Sequence, residues 1–240
     1  MEFNEFEKLF EEKEKENNVK ISEEKIEKFY KYMKSLIEWN EKINLTAITD
    51  EKEIIEKHFI DSLTILKYIE DGYNMIDVGT GAGFPGLPVA ISCKAKVTLL
   101  DSLNKRIKFL DEVIRTLGLE KIRTIHGRAE DFAKKKEYRE CFDLCVSRAV
   151  ANLATLSEYC LPFVKVEGEF ISYKSGDSDE EIRDAEFAVK VLGGKITDVD
   201  KFQLPGTDMG RSLVKIKKVK NTAGKYPRKA GLPSKEPLKK

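Results

Sequence analysis

Residues 77–86 read DVGTGAGFPG and combine an acidic residue with glycines at alternate positions. Gly79, Gly81 and Gly83 permit backbone conformations that other residues avoid, and they let a ligand approach the main chain closely. The last six residues of the stretch also satisfy the dinucleotide pattern Gly-x-Gly-x-x-Gly. Asp101 follows about 20 residues later, at the end of the next predicted strand, where it can accept hydrogen bonds from the hydroxyl groups of a ribose. The stretch therefore predicts a nucleotide or nucleoside site.

The charge of Asp77 distinguishes two kinds of ligand. A pyrophosphate beside an ionised Asp77 would meet a like charge, and the repulsion grows as water is excluded. S-adenosylmethionine carries a sulfonium and an ammonium instead of phosphates, and Asp77 suits the ammonium directly or through water. The loop therefore favours S-adenosylmethionine over a dinucleotide. A glycine-rich turn without a ligand is less favoured, because three glycines carry an entropic cost that needs compensation.

The residues after the fourth predicted strand bear on the methyl acceptor, since ligands of open α/β sheets bind outside the carboxyl ends of the strands. Residues 143–153 read DLCVSRAVANL and lack the Asn/Asp-Pro-Pro-Tyr/Phe tetrad of methyltransferases that act on exocyclic amines. Cys145 lies inside the strand, where burial makes a thiol inert. A ring nitrogen such as guanine N7 needs neither device, because alignment suffices. Arg148 has three open roles: packing against the donor, pairing with Asp101 or Glu130, or contacting the acceptor.

The rest of the chain supplies the elements that must position these residues. From Tyr73 onward, five short apolar runs alternate with amphipathic segments, which predicts a parallel sheet with helices on both faces. A helix is predicted from about Ser178 to Leu192, ended by two glycines. The last two apolar runs, ITDVDKFQL and SLVKIKKV, are separated by only PGTDMGR. This linker is too short for a helical crossover, so the two runs should form an antiparallel hairpin.

The N-terminal part and the composition indicate a soluble globular protein, with 41% hydrophobic and 35% charged residues. Residues 1–71 look helical, with apolar residues at helical spacing after Ser22 and again after Asp50. No apolar run approaches the ~20 residues that span a bilayer, and the acidic start is unlike a signal peptide, so we expect a cytoplasmic protein. The four cysteines lack metal-ligand spacing and should be buried reduced thiols.

The C-terminal tail is strongly basic. Residues 211–240 contain 11 Lys/Arg and one Asp/Glu, whereas residues 1–72 contain 12 and 19. A basic tail that holds Tyr226 and ordered Pro and Gly segments is typical of contact with a phosphate backbone and an unstacked base. Lysine protection of a strand edge followed by a disordered end is the alternative. The residues assigned to RNA contact are Lys174, Arg211, Lys218, Lys225, Tyr226, Arg228 and Lys229.

From about residue 20 the chain contains nine strings, in order: WNEKINLTAI (39–48), HFIDSL (58–63), DVGTGAGFPGLPVAI (77–91), LLDSLNKRIKFL (99–110), GRAED (127–131), VSRAVANL (146–153), YKSG (173–176), GRSLVKIKK (210–218) and KYPRKAGLPSKEPL (225–238). Together they resemble the glucose-inhibited division protein B family, bacterial methyltransferases of guanine N7 in small-subunit (16S) ribosomal RNA. In YKSG a serine separates Lys174 from the glycine, whereas the family usually has the two adjacent.

The resemblance implies an α/β fold: a seven-stranded, Rossmann-like, class I S-adenosylmethionine-dependent methyltransferase sheet in residues 72–240, preceded by a helical extension in residues 1–71. It implies small-subunit ribosomal RNA or the small ribosomal subunit as partner. Because the sulfonium and the methylated product are both cationic, no metal is required; we also expect no membrane contact and a monomer. The resemblance also implies donor contacts beyond those of the loop. The complete predicted set is Asp77, Gly79, Gly81, Gly83, Phe84, Asp101, Ser102, Ala129, Glu130 and Arg148, and Arg148 is also the candidate catalytic residue.

Several residues keep a second interpretation. Asp101 also suits a helix cap, and Glu130 either contacts the adenine edge or charges a helix N-terminus. His58 is expected to be a satisfied structural histidine rather than a base, and Trp39 an anchor of the N-terminal helices rather than a stacking platform. The alternative functions are methylation of a protein or small molecule, RNA binding without catalysis, and nicotinamide chemistry.

Overall fold

Seven strands form one sheet in the computed structural model, which describes residues 1–148 and 151–240. They are β1 (Asn74–Val78), β2 (Lys96–Asp101), β3 (Ile122–His126), β4 (Phe142–Ser147), β5 (Val164–Ser175), β6 (Gly194–Gln203) and β7 (Gly210–Lys218). Their order is β3-β2-β1-β4-β5-β7-β6. The first five strands are parallel, and β7 runs antiparallel to both β5 and β6. The predicted seven-stranded α/β sheet and its terminal hairpin are confirmed.

Helices precede the sheet, as the periodicity predicts. They are α1 (Phe3–Glu16), α2 (Glu23–Ile43) and a continuous helical segment made of α3 (Glu51–Glu53), a π-helical turn (Ile54–Ile60) and α4 (Asp61–Leu63). Asp50 caps α3, because its carboxylate accepts hydrogen bonds from two backbone amides of the first turn. Ser22 occupies the capping position of α2 without a side-chain hydrogen bond.

The remaining helices connect the strands and cover both faces of the sheet. They are α5 (Gly86–Ser92), α6 (Asn104–Thr116), α7 (Ala129–Phe132), α8 (Leu153–Cys160), α9 (Asp179–Val191) and, in the tail, α10 (Leu232–Lys235). The helix predicted near residues 178–192 is α9, and Gly193 follows it with a φ of +90°. Residues 222–233 of the tail pack on the protein through hydrogen bonds to Arg139, Thr155, Glu158 and Glu130.

The N-terminal helices and one face of the sheet share a hydrophobic core. Phe29 of α2 packs on Phe59 of the π-helical turn with ring centroids 5.1 Å apart, and Tyr32 stacks on Phe84 of the glycine loop at 5.5 Å. Trp39 donates a hydrogen bond to Glu112 of α6 and so anchors α2, as expected. The boundary predicted between residues 71 and 72 falls before β1. In the described residues one core extends across this boundary, so the N-terminal helices have no core of their own.

The cysteines are free thiols, and their positions correct one expectation. Cys145 and Cys160 are buried, whereas Cys93 is half-buried and Cys141 is exposed because it precedes β4 on the surface. Within residues 1–148 and 151–240, His, Cys, Asp and Glu side chains do not gather in a group that would hold a metal ion. The helices of these same ranges are also too short or too polar to cross a membrane.

Candidate active site

The glycine loop lies between β1 and α5, and hydrogen bonds to Asp77 fix its two ends. The Asp77 Oδ2 atom accepts hydrogen bonds from the Thr80 hydroxyl at 2.7 Å and from the Gly86 amide at 2.9 Å. A Cβ atom at Gly86 would lie 2.9 Å from Asp77 Oδ2 and would overlap Leu99, so a side chain has no room there. The remaining loop glycines, Gly79, Gly81 and Gly83, adopt φ values of +74°, +62° and +104°, which favour glycine.

Asp77 itself lies beneath the loop. Its side chain is wholly buried, and among the described residues its Oδ1 atom has no hydrogen-bond partner. Burial raises the pKa of Asp77 to about 7, although the hydrogen bonds from Thr80 and Gly86 oppose the shift. Direct contact of Asp77 with a donor ammonium is therefore not the arrangement seen; the carboxylate can act only across the loop or through an intervening water.

A cavity of about 310 Å³ opens at the carboxyl ends of β1, β2 and β3. Such a volume is at the lower end of the range for small-molecule sites. Five predicted donor-binding residues line it: Gly79, Asp101, Ser102, Ala129 and Glu130. Its other lining residues are Val78, Leu100, Gly127, Arg128, Ala151, Leu156, Tyr159, Gly231 and Ser234. The predicted residues that do not line the cavity are Asp77, Gly81, Gly83, Phe84 and Arg148.

Asp101 joins the glycine loop to the end of β2. Its carboxylate accepts hydrogen bonds from the amides of Gly81 and Leu103, both at 2.9 Å, and pairs with Arg106 at 3.2 Å. Leu103 occupies the N-cap position of α6 and no side chain caps this helix, so the interpretation of Asp101 as a helix cap is wrong. Each carboxylate oxygen has more than one acceptor site, so these bonds leave room for a ribose hydroxyl, and ribose contact stays a prediction.

Glu130 has a partner that the sequence did not indicate. It lies in the first turn of α7, is buried, and its Oε1 atom accepts a hydrogen bond of 2.8 Å from the backbone amide of Gly231 in the tail. The second carboxylate oxygen faces no protein donor within hydrogen-bond distance in the described residues. The C-terminal tail therefore reaches the cavity that holds the predicted donor contacts.

Arg148 does not pair with Asp101 or Glu130, as considered from the sequence, but with Asp61 of α4. The Arg148 Nη1 atom lies 2.9 Å from Asp61 Oδ2, and Arg211 of β7 binds the other oxygen, with Nε 2.8 Å from Oδ1. Asp61 is 1% exposed, so one buried carboxylate holds two guanidinium groups. Sequence reasoning missed Asp61; the available signal was a lone acid among apolar residues one helical turn after His58.

Phe84 lies between the N-terminal helices and Arg148 rather than on the cavity wall. Its ring stacks on the His58 imidazole, with centroids 4.4 Å apart and planes at 16°, and the Arg148 guanidinium lies 5.0 Å from its centroid. His58 also contacts the Thr46 hydroxyl at 2.8 Å. Burial and the neighbouring Arg148 charge lower the pKa of His58 to about 3. His58 is thus a neutral structural histidine, as expected.

Two residues assigned to RNA contact are interior, which corrects their assignment. Lys218 is wholly buried, and its ammonium donates hydrogen bonds to the carbonyl of Leu161 at 2.6 Å and to the Thr222 hydroxyl at 2.8 Å. Burial lowers the pKa of Lys218 to about 8. The ring of Tyr226 belongs to the core on the second face of the sheet. Neither side chain can reach RNA, because the protein itself surrounds it.

Three further assigned residues are committed to internal ion pairs. Lys174 pairs with Glu181 at 2.6 Å, Arg211 with Asp61 as described, and Arg228 with the buried Glu158 through Nη2 and Oε2 at 2.8 Å. Each of these side chains is therefore paired within the protein, although Arg211 shares the single carboxylate of Asp61 with Arg148. Lys225 and Lys229 are exposed, so RNA contact stays a prediction for these two residues.

Comparisons with known proteins agree with this geometry. The family profile described as "GidB: rRNA small subunit methyltransferase G" matches residues 25–210. The chain is 56% identical to ribosomal RNA small subunit methyltransferase G of Desulforamulus reducens over 227 residues, 93% of this chain and 95% of that protein. It is 53% identical to the protein of the same name from Clostridium perfringens over 224 residues, 92% and 94% of the two chains. The crystal structure of M. jannaschii TYW2 in complex with AdoMet shares the fold, with a TM-score of 0.52 at 16% identity over 67% of this chain and 76% of that chain.

Proposed function

This chain belongs to the GidB family of ribosomal RNA small subunit methyltransferase G, and on that premise we propose that it transfers a methyl group from S-adenosylmethionine to N7 of a guanine in small-subunit (16S) ribosomal RNA. The observation that carries the proposal is the cavity beside the glycine loop. Asp101 and Ser102 border it at the end of β2, and Ala129 and Glu130 border it after β3.

The charges around the cavity suit S-adenosylmethionine. Asp101 and Glu130 line it, and Asp77 lies behind the glycine loop with an unpartnered oxygen among the described residues. Two carboxylates line the cavity against one cation, Arg128, and Asp77 adds negative charge where it is ionised, so a cationic donor gains and a pyrophosphate is disfavoured. Asp101 would hold the ribose hydroxyls, and Ala129 with Glu130 would border the adenine. When bound, the donor supplies a methyl group on a positively charged sulfur.

Transfer to guanine N7 asks little acid–base chemistry of the protein. The N7 lone pair forms the new bond to carbon, the sulfur keeps the electron pair of the broken bond, and no proton leaves the base. The contribution of the protein is therefore alignment and exclusion of water. His58, whose pKa is lowered to about 3, is too weak a base to take a proton efficiently, which agrees with a scheme that needs no general base.

Arg148 is proposed to position one of the two reactants from the end of β4. Its guanidinium is oriented by Asp61, by the His58 ring and by the Lys57 carbonyl. Methylation at N7 leaves a positive charge on the base, which an unpaired arginine would oppose. Asp61 brings one negative charge to both Arg148 and Arg211, so it offsets part of the charge of Arg148 and lowers this repulsion. Arg148 is thus a positioning residue in this proposal.

RNA contact is assigned to the exposed side chains of the tail. Lys225 and Lys229 flank Arg228 on an ordered segment beside the cavity, and a phosphate backbone pairs with such lysines irrespective of sequence. Ribosomal RNA or the small ribosomal subunit is the proposed partner. Action in the cytoplasm and as a monomer stays a prediction.

The test is transfer of labelled methyl from S-adenosylmethionine to small ribosomal subunits purified from a strain that lacks this gene, followed by mass spectrometry of nuclease digests. One labelled 7-methylguanosine is the expected product. Asp101→Asn is the companion variant; it should weaken donor binding while the RNA affinity stays unchanged. Donor binding without transfer to subunits, precursor particles or naked RNA would refute the ribosomal assignment and favour a protein or small-molecule acceptor.

A further inference from the structure

The C-terminal tail contributes to the same cavity as the residues after β2 and β3. We propose that residues 222–236, the C-terminal strap, form one wall of the donor pocket at its adenine end and that donor affinity depends on how the strap is anchored. Gly231 and Ser234 of the strap line the cavity together with Asp101 and Glu130. The inference rests on the proposed function, because it takes S-adenosylmethionine as the ligand of this cavity.

The strap meets the pocket through backbone groups. The Gly231 amide donates to Glu130 Oε1 at 2.8 Å, and the carbonyl of Pro233 accepts a hydrogen bond from the Thr155 hydroxyl of α8 at 3.1 Å. Gly231 has a φ of +82°, which is the left-handed region that favours glycine. These contacts place the strap across the cavity from β2, and they fix one oxygen of Glu130 so that its orientation at the adenine end depends on the strap.

One ion pair anchors the strap next to this point. Glu158 of α8 is wholly buried, and Arg228 binds it with its Nε atom 3.0 Å from Oε1 and its Nη2 atom 2.8 Å from Oε2. The backbone amide of Arg228 adds a third bond to Oε1 at 2.7 Å. A planar guanidinium matches a carboxylate in this two-bond geometry, and an ammonium does not. Gly231 is three residues further along the chain, so its position follows from this anchor.

A second clamp holds the beginning of the strap. The Arg139 guanidinium donates to the carbonyl of Tyr226 at 2.9 Å and to that of Thr222 at 2.6 Å. The Tyr226 ring is buried in the core below. The strap is therefore fixed upstream independently of Arg228, and a change at Arg228 should loosen the pocket end of the strap while the upstream end stays in place.

The arrangement links the two substrates. Lys225 and Lys229, which are proposed to contact RNA, lie on the strap on either side of its Glu158 anchor. If RNA binding makes the strap more or less ordered, it changes the affinity for the donor. Donor binding must then change the affinity for RNA by the same factor, because coupling between two sites is reciprocal. Basic residues and the pocket wall thus occupy one short segment of the chain.

Arg228→Lys tests the proposal, since it keeps the charge and removes the two-bond geometry. Calorimetry with S-adenosylhomocysteine and with adenosine should show a dissociation constant raised roughly tenfold for both ligands, because a loosened wall must be ordered on binding. Arg183→Lys, the same exchange at an exposed position of α9, is the matched control and should bind both ligands as the unchanged protein does. Circular dichroism and thermal unfolding check that each variant is folded.

Hydrogen exchange gives a second readout on the unchanged full-length protein. S-adenosylhomocysteine should slow the exchange of the amides of residues 229–232, 234 and 235, and saturating RNA should change the dissociation constant for S-adenosylhomocysteine; an unchanged constant would overturn the coupling of the two sites through the strap. A folded Arg228→Lys variant that binds both ligands normally, with no change of exchange in residues 229–235, would overturn the role of the strap while methyl transfer remains. Absence of both S-adenosylhomocysteine binding and methyl transfer in the unchanged protein would instead overturn the proposed function itself.

Discussion

Replacing Asp77 with asparagine should remove a pH dependence of donor binding. The carboxylate is wholly buried beneath the glycine loop, its Oδ1 atom is unpartnered within the described residues, and burial raises its pKa to about 7. The ammonium of S-adenosylmethionine favours the ionised carboxylate. Donor binding should therefore strengthen as the pH rises through 7, and it should release protons.

The size of the effect follows from the fraction of Asp77 that is ionised before the donor binds. With a pKa of about 7, roughly one tenth is ionised at pH 6 and roughly three quarters at pH 7.5, so the affinity should rise by at most about eightfold between these values, the limit in which only the ionised form binds the donor. The upper limit stays at pH 7.5 because the α-amino group of the donor loses its proton near pH 8. His58 does not contribute, since its pKa is lowered to about 3.

Asp77 also affects the stability of the protein without donor, with the opposite trend. Its pKa is raised from 3.8 to about 7, so the folded state binds more protons than the unfolded state between these values. The stabilisation is complete below pH 4 and is lost as the pH rises to 7, by at most about 4 kcal/mol. An asparagine side chain does not titrate, so this loss should be absent from the Asp77→Asn variant.

Calorimetric titration with S-adenosylmethionine at pH 6.0 and 7.5 checks the reasoning. The asparagine oxygen can still accept hydrogen bonds from Thr80 and Gly86, so the loop should keep its shape, and Asp77→Asn should bind more weakly and with little pH dependence. Urea unfolding without donor, at pH 5 and pH 8, measures the stability difference. An equal pH dependence in both proteins, or none in the unchanged protein, would refute the assignment of the titration to Asp77.

Three further substitutions test other parts of the site. Asp61→Asn removes a buried carboxylate from two half-buried guanidinium groups and should lower the free energy of unfolding by about 3 kcal/mol, measured by urea denaturation; unchanged stability would contradict the paired geometry. Lys218→Met should leave the salt dependence of RNA binding unaltered. It should lower the free energy of unfolding by about 2 kcal/mol, because Thr222 and two carbonyls lose a hydrogen-bond donor. A weaker RNA affinity in filter binding would indicate that Lys218 lies at the surface. Gly86→Ala should destabilise by about 2 kcal/mol, because its Cβ would overlap Leu99, and a thermal midpoint equal to that of the unchanged protein argues against this close packing.

The sequence by itself determined the fold class and the place of the pocket. Alternation of apolar runs with amphipathic segments, and a linker of only six residues (204–209) before β7, are local features that leave few topologies open. The glycine spacing at 79, 81 and 83 also predicts its own geometry, since the backbone there takes positive φ values. The spacing after the glycine loop predicts Asp101, whereas Ser102, Ala129 and Glu130 are predicted through the family resemblance; the parallel sheet brings the ends of β2 and β3 to one edge.

Only the tertiary structure decided how the charged side chains are used. Lys215, Lys217 and Lys218 form one basic run in the sequence, yet Lys218 alone is wholly buried, against Thr222 and the carbonyls of Leu161 and Val164. Long charged side chains suit both surface and interior, and the choice depends on whether partners from distant segments surround them. The pairs of Asp61 with Arg148 and Arg211 join residues 87 and 150 positions apart. Sequence patterns of helices and strands relate residues that are only a few positions apart. They do not predict such pairs or the position of the strap, because these form only when the folded sheet brings distant segments together.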